Sequence, residues 1–333
     1  MTRNIHIRLP GTELEVSRIC LGGNRFGATL DQDASFALLD DFFDAGGNFI
    51  DTAKVYADWM PDIERSTSEK TIGRWLASRG LLDRVTVATK GGHPILDDPE
   101  HRRLDSASLR EDAERSRDNL GVQAVAIFYL HRDDPNRPVT EILASLEDMR
   151  RDGLIRHYAA SNWSAARLAA ASRAATQHGW QGFIANQPEW SLATRNPGSA
   201  AADLIAMDRD MFAWHQEHSI VAIPYSSQAR GYFDKVASGR LDEGTAEAYD
   251  DDRNRALADR LTEVATNTGA TPTQIMLALM MKAPFPVIPV VGCHSKQQIL
   301  STFKSLDLSL DSPLPLTEML DFQVCRKKGS GSL

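Results

Sequence analysis

The chain contains little cysteine. Only Cys20, Cys293 and Cys325 occur in 333 residues, and they lie far apart. An odd number at these spacings fits neither a disulfide framework nor a thiolate metal site. Free thiols are the usual state in the reducing cytoplasm, so we predict a cytoplasmic protein without a bound metal.

The chain also lacks long apolar runs and an excess of basic charge. No stretch approaches the roughly 20 apolar residues that span a bilayer, and residues 1–8 contain no apolar signal core. The 37 Lys and Arg against 45 Asp and Glu give a formal net charge of −8, without a basic stripe for nucleic acid. We therefore expect neither membrane nor nucleic-acid binding, but a small-molecule partner. The oligomeric state stays open.

Eight short β-like runs are present, with helical patterns between them. Several are apolar through most of their length, as parallel strands buried on both faces are. They lie at 18–22, 48–52, 85–90, 124–131, 157–161, 183–186, 220–225 and 287–291. Eight strands with helical crossovers fit either a closed barrel or an open sheet, and periodicity does not choose between the two.

Local signals predict several further elements. The capping-box spacing of Ser108 and Glu111 predicts a helix from Ser108 to about Asn119, and a second helix should end at Gly153. Strand patterns at 5–9 and 14–16 around a Pro-Gly turn predict a β-hairpin. Longer excursions lie at 57–68, 231–252 and 310–333, and residues 329–333 resemble a flexible tail.

Four ionisable residues stand at or just past the ends of apolar runs: Asp51, Tyr56, Lys90 and His131. In a parallel barrel such ends converge on one mouth. A tyrosine, with a pKa of about 10, needs a nearby cation to stabilise its phenolate. Lys90 can supply that charge and Asp51 can hold Lys90, while His131 can orient a carbonyl. Taken singly, Asp51 could be a helix cap, Lys90 a solvated cation and Tyr56 a half-buried ring. Together these residues favour a proton-donating site.

Segments 51–56, 88–90 and 130–135 resemble the Asp, Tyr, Lys, His tetrad of the aldo-keto reductases, in the same order and at comparable spacing. The resemblance runs from about Leu9 to Leu310. It implies an α/β fold of the (β/α)8 TIM-barrel type over 1–333 as a single domain, with the hairpin at the bottom and long loops at the C-terminal mouth. It also implies an NAD(P)-dependent oxidoreductase that reduces an aldehyde or ketone to an alcohol, with Tyr56 as general acid.

Carbonyl reduction requires a hydride donor, which the tetrad lacks. No Gly-x-Gly-x-x-Gly motif opens a βαβ unit, which argues against a Rossmann domain. The resemblance instead implies a nicotinamide cofactor extended across the mouth, with Trp190 stacked on its ring; the alternative for Trp190 is a core aromatic. The implied cofactor contacts are Gly23, Asn24, Ser161, Asn162, Gln187, Trp190, Ser226, Arg230, Gly292, His294, Lys296, Gln298 and Thr302.

Two cofactor segments depart from the family pattern. Ser227 and Gln228 replace Pro and Leu in the pyrophosphate loop. At the adenine end, His294 stands where relatives often carry an arginine that meets the ribose 2′-phosphate. The resemblance favours NADP, with His294 and Lys296 as phosphate contacts, and NAD is the alternative.

The substrate pocket is expected to include Arg25, Trp59, Met60, Arg132 and Trp163. Aromatic walls with polar rims suit a sugar ketone, a cyclic ketone or an aromatic aldehyde equally well. Two other functions stay open. One is a non-catalytic, nicotinamide-binding regulatory subunit, as in channel-associated proteins of this fold; the other is an aldolase that uses Lys90 as a Schiff base.

Overall fold

A computed structural model of the protein describes residues 4–199, 201, 203–218 and 220–310. A short antiparallel hairpin precedes a sheet of eight parallel strands, and each strand overlaps a predicted run. The strands are β1 (His6–Arg8), β2 (Glu15–Ser17), β3 (Cys20–Gly22), β4 (Phe49–Asp51), β5 (Thr86–Gly91), β6 (Val125–Leu130), β7 (Ile155–Ser161), β8 (Ala185–Gln187), β9 (Val221–Ala222) and β10 (Val290–Val291).

The sheet closes on itself. Its strand order is β10-β3-β4-β5-β6-β7-β8-β9, with every neighbouring pair parallel. The two edges are joined because the Ile288 amide donates to the Ala222 carbonyl at 2.9 Å and the Val290 amide donates to the Pro224 carbonyl at 2.9 Å. The predicted (β/α)8 barrel is confirmed.

Helices occupy the crossovers between the strands. Within the described ranges they are α1 (Gln32–Asp44), α2 (Thr67–Arg79), α3 (Ser106–Leu120), α4 (Val139–Arg151), α5 (Ala165–His178), α6 (Arg209–His218), α7 (Tyr232–Ala237), α8 (Glu243–Tyr249), α9 (Asp252–Thr268), α10 (Pro272–Met280) and α11 (Lys296–Lys304). None of the helices in this part of the chain is long and apolar enough to cross a membrane.

The hairpin forms the floor of the barrel. Leu9, Leu14 and Val16 belong to one buried cluster with strand residues that include Phe49 and Ile127. Because strand side chains alternate between the two faces, this cluster fills the barrel interior, while other apolar clusters join the strands to the helices. The predicted position of the hairpin is confirmed.

The remaining local predictions concern one helix cap, one helix end and two longer excursions. The predicted cap at Ser108 is wrong: α3 begins at Ser106, because Asp105, an equally good cap, accepts the Ser108 amide at 2.9 Å. Gly153 follows the end of α4 with φ of +72°, as predicted. The predicted excursion at 231–252 contains α7 and α8. Residues 311–333, including the predicted tail, lie outside the described residues.

Candidate active site

The barrel brings the predicted tetrad together. Asp51 is the last residue of β4, Lys90 lies near the end of β5, and His131 directly follows β6. These strands are adjacent, with Asp51 paired to Ala88 and Lys90 paired to Tyr129. Tyr56 lies five residues beyond Asp51, in a turn that returns over the mouth.

Hydrogen bonds hold the Lys90 ammonium in one position. Its Nζ donates to Asp51 Oδ2 at 2.6 Å, to the Thr52 carbonyl at 2.8 Å and to the Tyr56 hydroxyl oxygen at 3.0 Å. These three bonds use all three donors of the ammonium. Asp51 is fixed in turn, because its Oδ1 accepts a hydrogen bond from Gln187 Nε2 at 2.8 Å.

Burial and charge set the protonation of this group. Burial raises the pKa of Tyr56 above its ordinary value, and the opposing effect of Lys90 does not cancel it. Burial alone would lower the pKa of Lys90, but Asp51 and Tyr56 raise it above its ordinary value. Near neutral pH the tyrosine is therefore protonated and the lysine is charged.

His131 is a neutral imidazole at the same mouth. Burial lowers its pKa well below the ordinary value, and the positive charges of Arg132 and Lys90 act in the same direction. Its ring lies 5.8 Å from the Tyr56 ring and 4.9 Å from the His93 ring, measured between centroids. Sequence reasoning missed His93, which stands in the loop after β5.

A cavity of about 960 Å³ extends from this mouth across the barrel. Tyr56, His131 and Arg132 line one region of it, and Gly292 and His294 line another. It is also lined by the predicted cofactor residues Gly23, Asn24, Ser161, Asn162, Gln187, Ser226, Arg230, Gln298 and Thr302. Among the residues described, no cluster of three or more His, Cys, Asp or Glu is placed to hold a metal ion.

Trp190 requires a correction. The structure buries it to 2% exposure against Phe212 and Phe285, and it does not line the cavity. It is therefore the core aromatic that was the alternative prediction. Tyr225 lines the cavity instead, and its hydroxyl donates to Asn162 Oδ1 at 2.8 Å. Its position at the end of the run 220–225 was the signal that could have identified it.

The predicted substrate residues are dispersed. Trp163 is fully buried against Phe183 and does not line the cavity, which corrects its predicted role. Trp59 is 55% exposed, and its ring lies 6.5 Å edge-on from that of Tyr56. It lines a second cavity of about 570 Å³ with His93 and others, and Met60 lines neither cavity.

Arg25 also differs from its predicted place. Its Nη1 lies 3.3 Å from His294 Nε2, and its Nε donates to Thr29 Oγ1 at 3.0 Å, so the guanidinium belongs to the side of the mouth near β10. Lys296 is 61% exposed, pairs with Asp41 at 2.7 Å and does not line the cavity. Lys296 is therefore not placed at the cavity, where the predicted contact with the phosphate would require it to be.

The predicted pyrophosphate loop has a strained backbone. Ser226, Ala229 and Arg230 have φ of +53°, +45° and +55°. Non-glycine residues in this region cost roughly 1–2 kcal/mol each. Ser227 and Gln228, the two departures from the family pattern, join the loop to the end of β10. Ser227 Oγ donates to the Val290 carbonyl at 2.5 Å, and Gln228 Oε1 accepts a hydrogen bond from the Gly292 amide at 2.8 Å. Backbone strain of this kind occurs at ligand-binding sites.

Comparison with known proteins identifies the class of this chain. Residues 18–313 match the sequence model of the Aldo/keto reductase family. The chain belongs to this family, and it is an oxidoreductase enzyme of the kind that acts on carbonyl compounds with a nicotinamide cofactor.

Individual relatives cover most of the chain. Norsolorinic acid reductase stcV of Emericella nidulans is 30% identical over 90% of this chain and 77% of its own length. Aryl-alcohol dehydrogenase [NADP(+)] of Phanerodontia chrysosporium is 29% identical over 90% of this chain and 81% of its own length. The uncharacterized oxidoreductase YrpG of Bacillus subtilis is 26% identical, with 91% of each chain covered.

Proposed function

We propose that Tyr56 is the proton donor in the reduction of an aldehyde or ketone to an alcohol. The observation that carries this proposal is the 3.0 Å hydrogen bond from Lys90 to the Tyr56 hydroxyl oxygen, with Asp51 holding Lys90. Tyr56 is protonated near neutral pH, so it can give its proton to the carbonyl oxygen. Lys90 then stabilises the phenolate that remains.

His131 orients the substrate in this scheme. It lines the cavity beside Tyr56 as a neutral imidazole, which can donate one N–H to a carbonyl oxygen without competing as an acid. Asp51 acts through Lys90 and keeps the ammonium aligned.

A bound nicotinamide cofactor would supply the hydride. The cavity of about 960 Å³ is large enough, at the upper end of the range of about 300–1,000 Å³ for small-ligand sites. Ser161, Asn162 and Gln187 would hold the nicotinamide end beside the tetrad, with Tyr225 as the aromatic neighbour. The strained loop at 226–231, with Arg230, would hold the pyrophosphate.

We further propose that NADP is preferred and that Arg25 with His294 binds the 2′-phosphate. A guanidinium has no acceptor atom, so His294 Nε2 must accept from Arg25, and His294 is neutral in this arrangement. The positive charge beside His294 is then the permanent one of Arg25, which contacts His294 at the cavity edge but does not itself line the cavity. The relative from Phanerodontia chrysosporium carries NADP(+) in its name, which agrees with this choice.

Aromatic aldehydes and ketones are the proposed substrates. Relatives are named for norsolorinic acid and aryl alcohols, and the exposed Trp59, Ile95 and Leu96 provide apolar surface beside the catalytic loops. An aldolase is disfavoured because a Schiff-base lysine needs a lowered pKa, whereas the pKa of Lys90 is raised. Cyclic ketones and keto-sugars are the alternatives.

Turnover measurements test this function. The protein is assayed with NADPH and NADH against aromatic aldehydes, cyclic ketones and keto-sugars. Cofactor oxidation that requires a carbonyl substrate supports a reductase. Tight cofactor binding without turnover of any substrate would instead indicate the regulatory alternative.

A further inference from the structure

The charges around the catalytic end of the cavity do not balance. Two pairs are neutral as pairs: Lys90 with Asp51, and Arg195 with Glu189. A third group of charged side chains is not neutral, because two arginine guanidiniums share one carboxylate.

That carboxylate is Asp203. Its Oδ2 lies 3.3 Å from Arg132 Nε and 3.3 Å from Arg102 Nη1, so the three charges sum to one positive charge. The whole chain carries a formal net charge of −8. A positive excess beside the catalytic residues therefore runs against the overall charge, and it would favour an anionic ligand.

Arg132 also has unused hydrogen-bond donors. A guanidinium has five N–H groups. Among the residues that the structure describes, the Arg132 guanidinium makes one hydrogen bond, from Nη1 to the His131 carbonyl at 2.9 Å. Its buried Nε has no hydrogen-bond partner there, since the contact with Asp203 is an ion pair without hydrogen-bond geometry.

The position of Arg132 connects these donors to the reaction. It directly follows His131, lines the main cavity and has a side chain that is only 14% exposed. Tyr56 and His131 line the same cavity as Arg132. An anion bound by Arg132 would therefore lie close to the carbonyl that Tyr56 protonates.

We propose that the cavity selects carbonyl substrates that carry a carboxylate, and that Arg132 binds this carboxylate. The proposal rests on the proposed carbonyl reduction and narrows its substrate class. A guanidinium binds a carboxylate through two parallel hydrogen bonds, and the partly buried site limits competition from water. Binding would position the carbonyl at Tyr56 and His131.

The experiment uses two aldehydes of matched shape, 3-formylbenzoate and the neutral 3-formylbenzamide. For each, kcat/KM is measured with wild type and Arg132→Met. Since Arg132 also affects Tyr56, both substrates should slow in the variant. The acid-to-amide ratio of kcat/KM cancels this shared effect. A lost charge-assisted contact should lower the ratio about tenfold to a hundredfold.

Arg102→Met is the matched control. It removes the same charge from the same carboxylate but leaves the donors of Arg132 in place. We expect its ratio to change by less than about fivefold, as for a partly exposed ion pair. An equal fall in both variants would overturn the proposal, because the preference would then come from general electrostatics.

Other outcomes are equally decisive. An unchanged ratio in Arg132→Met overturns the proposal while leaving carbonyl reduction intact. Weaker NADPH binding by Arg132→Met also overturns it, because Arg132 would then hold the cofactor. If wild type turns over neither aldehyde, the proposed aromatic aldehyde class is contradicted, and the carboxylate site is tested separately. Calorimetric titration with 3-(hydroxymethyl)benzoate then tests the carboxylate site, with weaker binding expected for Arg132→Met and equal binding contradicting it.

Discussion

Lys90 donates a hydrogen bond of 3.0 Å to the hydroxyl oxygen of Tyr56 from a side chain that is 1% exposed. The same ammonium is bound to Asp51 at 2.6 Å, so it cannot move away from the phenol without losing a buried partner. In the proposed proton transfer, this arrangement would provide a fixed cation at the atom where negative charge develops, which is the most effective place for electrostatic stabilisation.

The first prediction concerns the pH dependence of alcohol oxidation in Lys90→Met. In the proposed mechanism, oxidation needs the phenolate of Tyr56, and a neighbouring cation favours this form. Removing Lys90 therefore raises the pKa of Tyr56, and residual oxidation should begin at a higher pH than in wild type. The pH profile of kcat/KM measures this shift.

Lys54→Met is the control for this variant. Lys54 pairs with Asp112 at 2.7 Å and does not bond to Tyr56. Its profile should match that of wild type. The same profile in Lys90→Met would contradict the pairing of Lys90 with Tyr56.

Asp51→Asn should reduce the stability of the fold. The substitution leaves Lys90 charged and buried without its carboxylate. Removing one partner of a buried pair costs about 3–5 kcal/mol, so we expect a loss near that range in the free energy of unfolding by urea. Asp51→Asn combined with Lys90→Met should recover part of it. A double variant no more stable than the single one would contradict this explanation.

Arg25→Met tests how the cofactor is chosen. If Arg25 binds the 2′-phosphate, the preference for NADPH over NADH should fall about tenfold to a hundredfold, with little change in NADH binding. Fluorescence titration measures both affinities. Equally weaker binding of NADPH and NADH would instead indicate that Arg25 contacts the pyrophosphate. Lys296→Met is the control, and it should leave the preference unchanged because Lys296 pairs with Asp41.

The pH dependence of this preference separates Arg25 from His294. Arg25 stays charged, so the preference should remain constant from about pH 7 to about pH 9, above the phosphate pKa of about 6. A histidine charged beside the phosphate would lose its proton over the same range, because the phosphate would raise its pKa above the ordinary value of about 6.5. A preference that fades with rising pH would therefore contradict the role of Arg25.

Paired substitutions distinguish Tyr225 from Trp190. Tyr225→Leu should weaken nicotinamide cofactor binding, because Tyr225 lines the cavity. Trp190→Ala should instead destabilise the fold by about 3–5 kcal/mol, because its ring is buried against Phe212 and Phe285. Cofactor titration and urea unfolding of both variants test this. Weaker cofactor binding by Trp190→Ala, with unchanged binding by Tyr225→Leu, would instead support stacking of Trp190 on the nicotinamide.

Much of the fold follows from sequence because its signals are local. Several barrel strands lie in short runs that are apolar through most of their length, and Gly153 marks the end of α4 through its positive φ. The start of α3 was misjudged because Asp105 and Ser108 are both good caps, and only the folded chain shows which one is used. Closure of the barrel came from the resemblance, since it depends on contacts between distant strands.

The grouping of Asp51, Tyr56, Lys90 and His131 was predictable because strand ends converge in a parallel barrel. The surrounding pocket was less so. Trp163 and Trp190 lie near the mouth in sequence, but whether a ring faces the cavity or the core depends on tertiary packing. The sequence predicts Arg25 in the substrate pocket, but its long side chain can reach either that pocket or the loop after β10. Because β3 and β10 are adjacent, the guanidinium lies beside His294.

The most direct test is NADPH-dependent reduction of an aromatic aldehyde by Tyr56→Phe. This variant keeps the ring and removes the proton. We predict that reduction falls by roughly 10²–10⁴-fold, the usual contribution of a general acid, while NADPH binds with the wild-type affinity. Near-normal turnover by Tyr56→Phe would show that another group donates the proton and would contradict the proposed role of the Lys90 and Tyr56 pair.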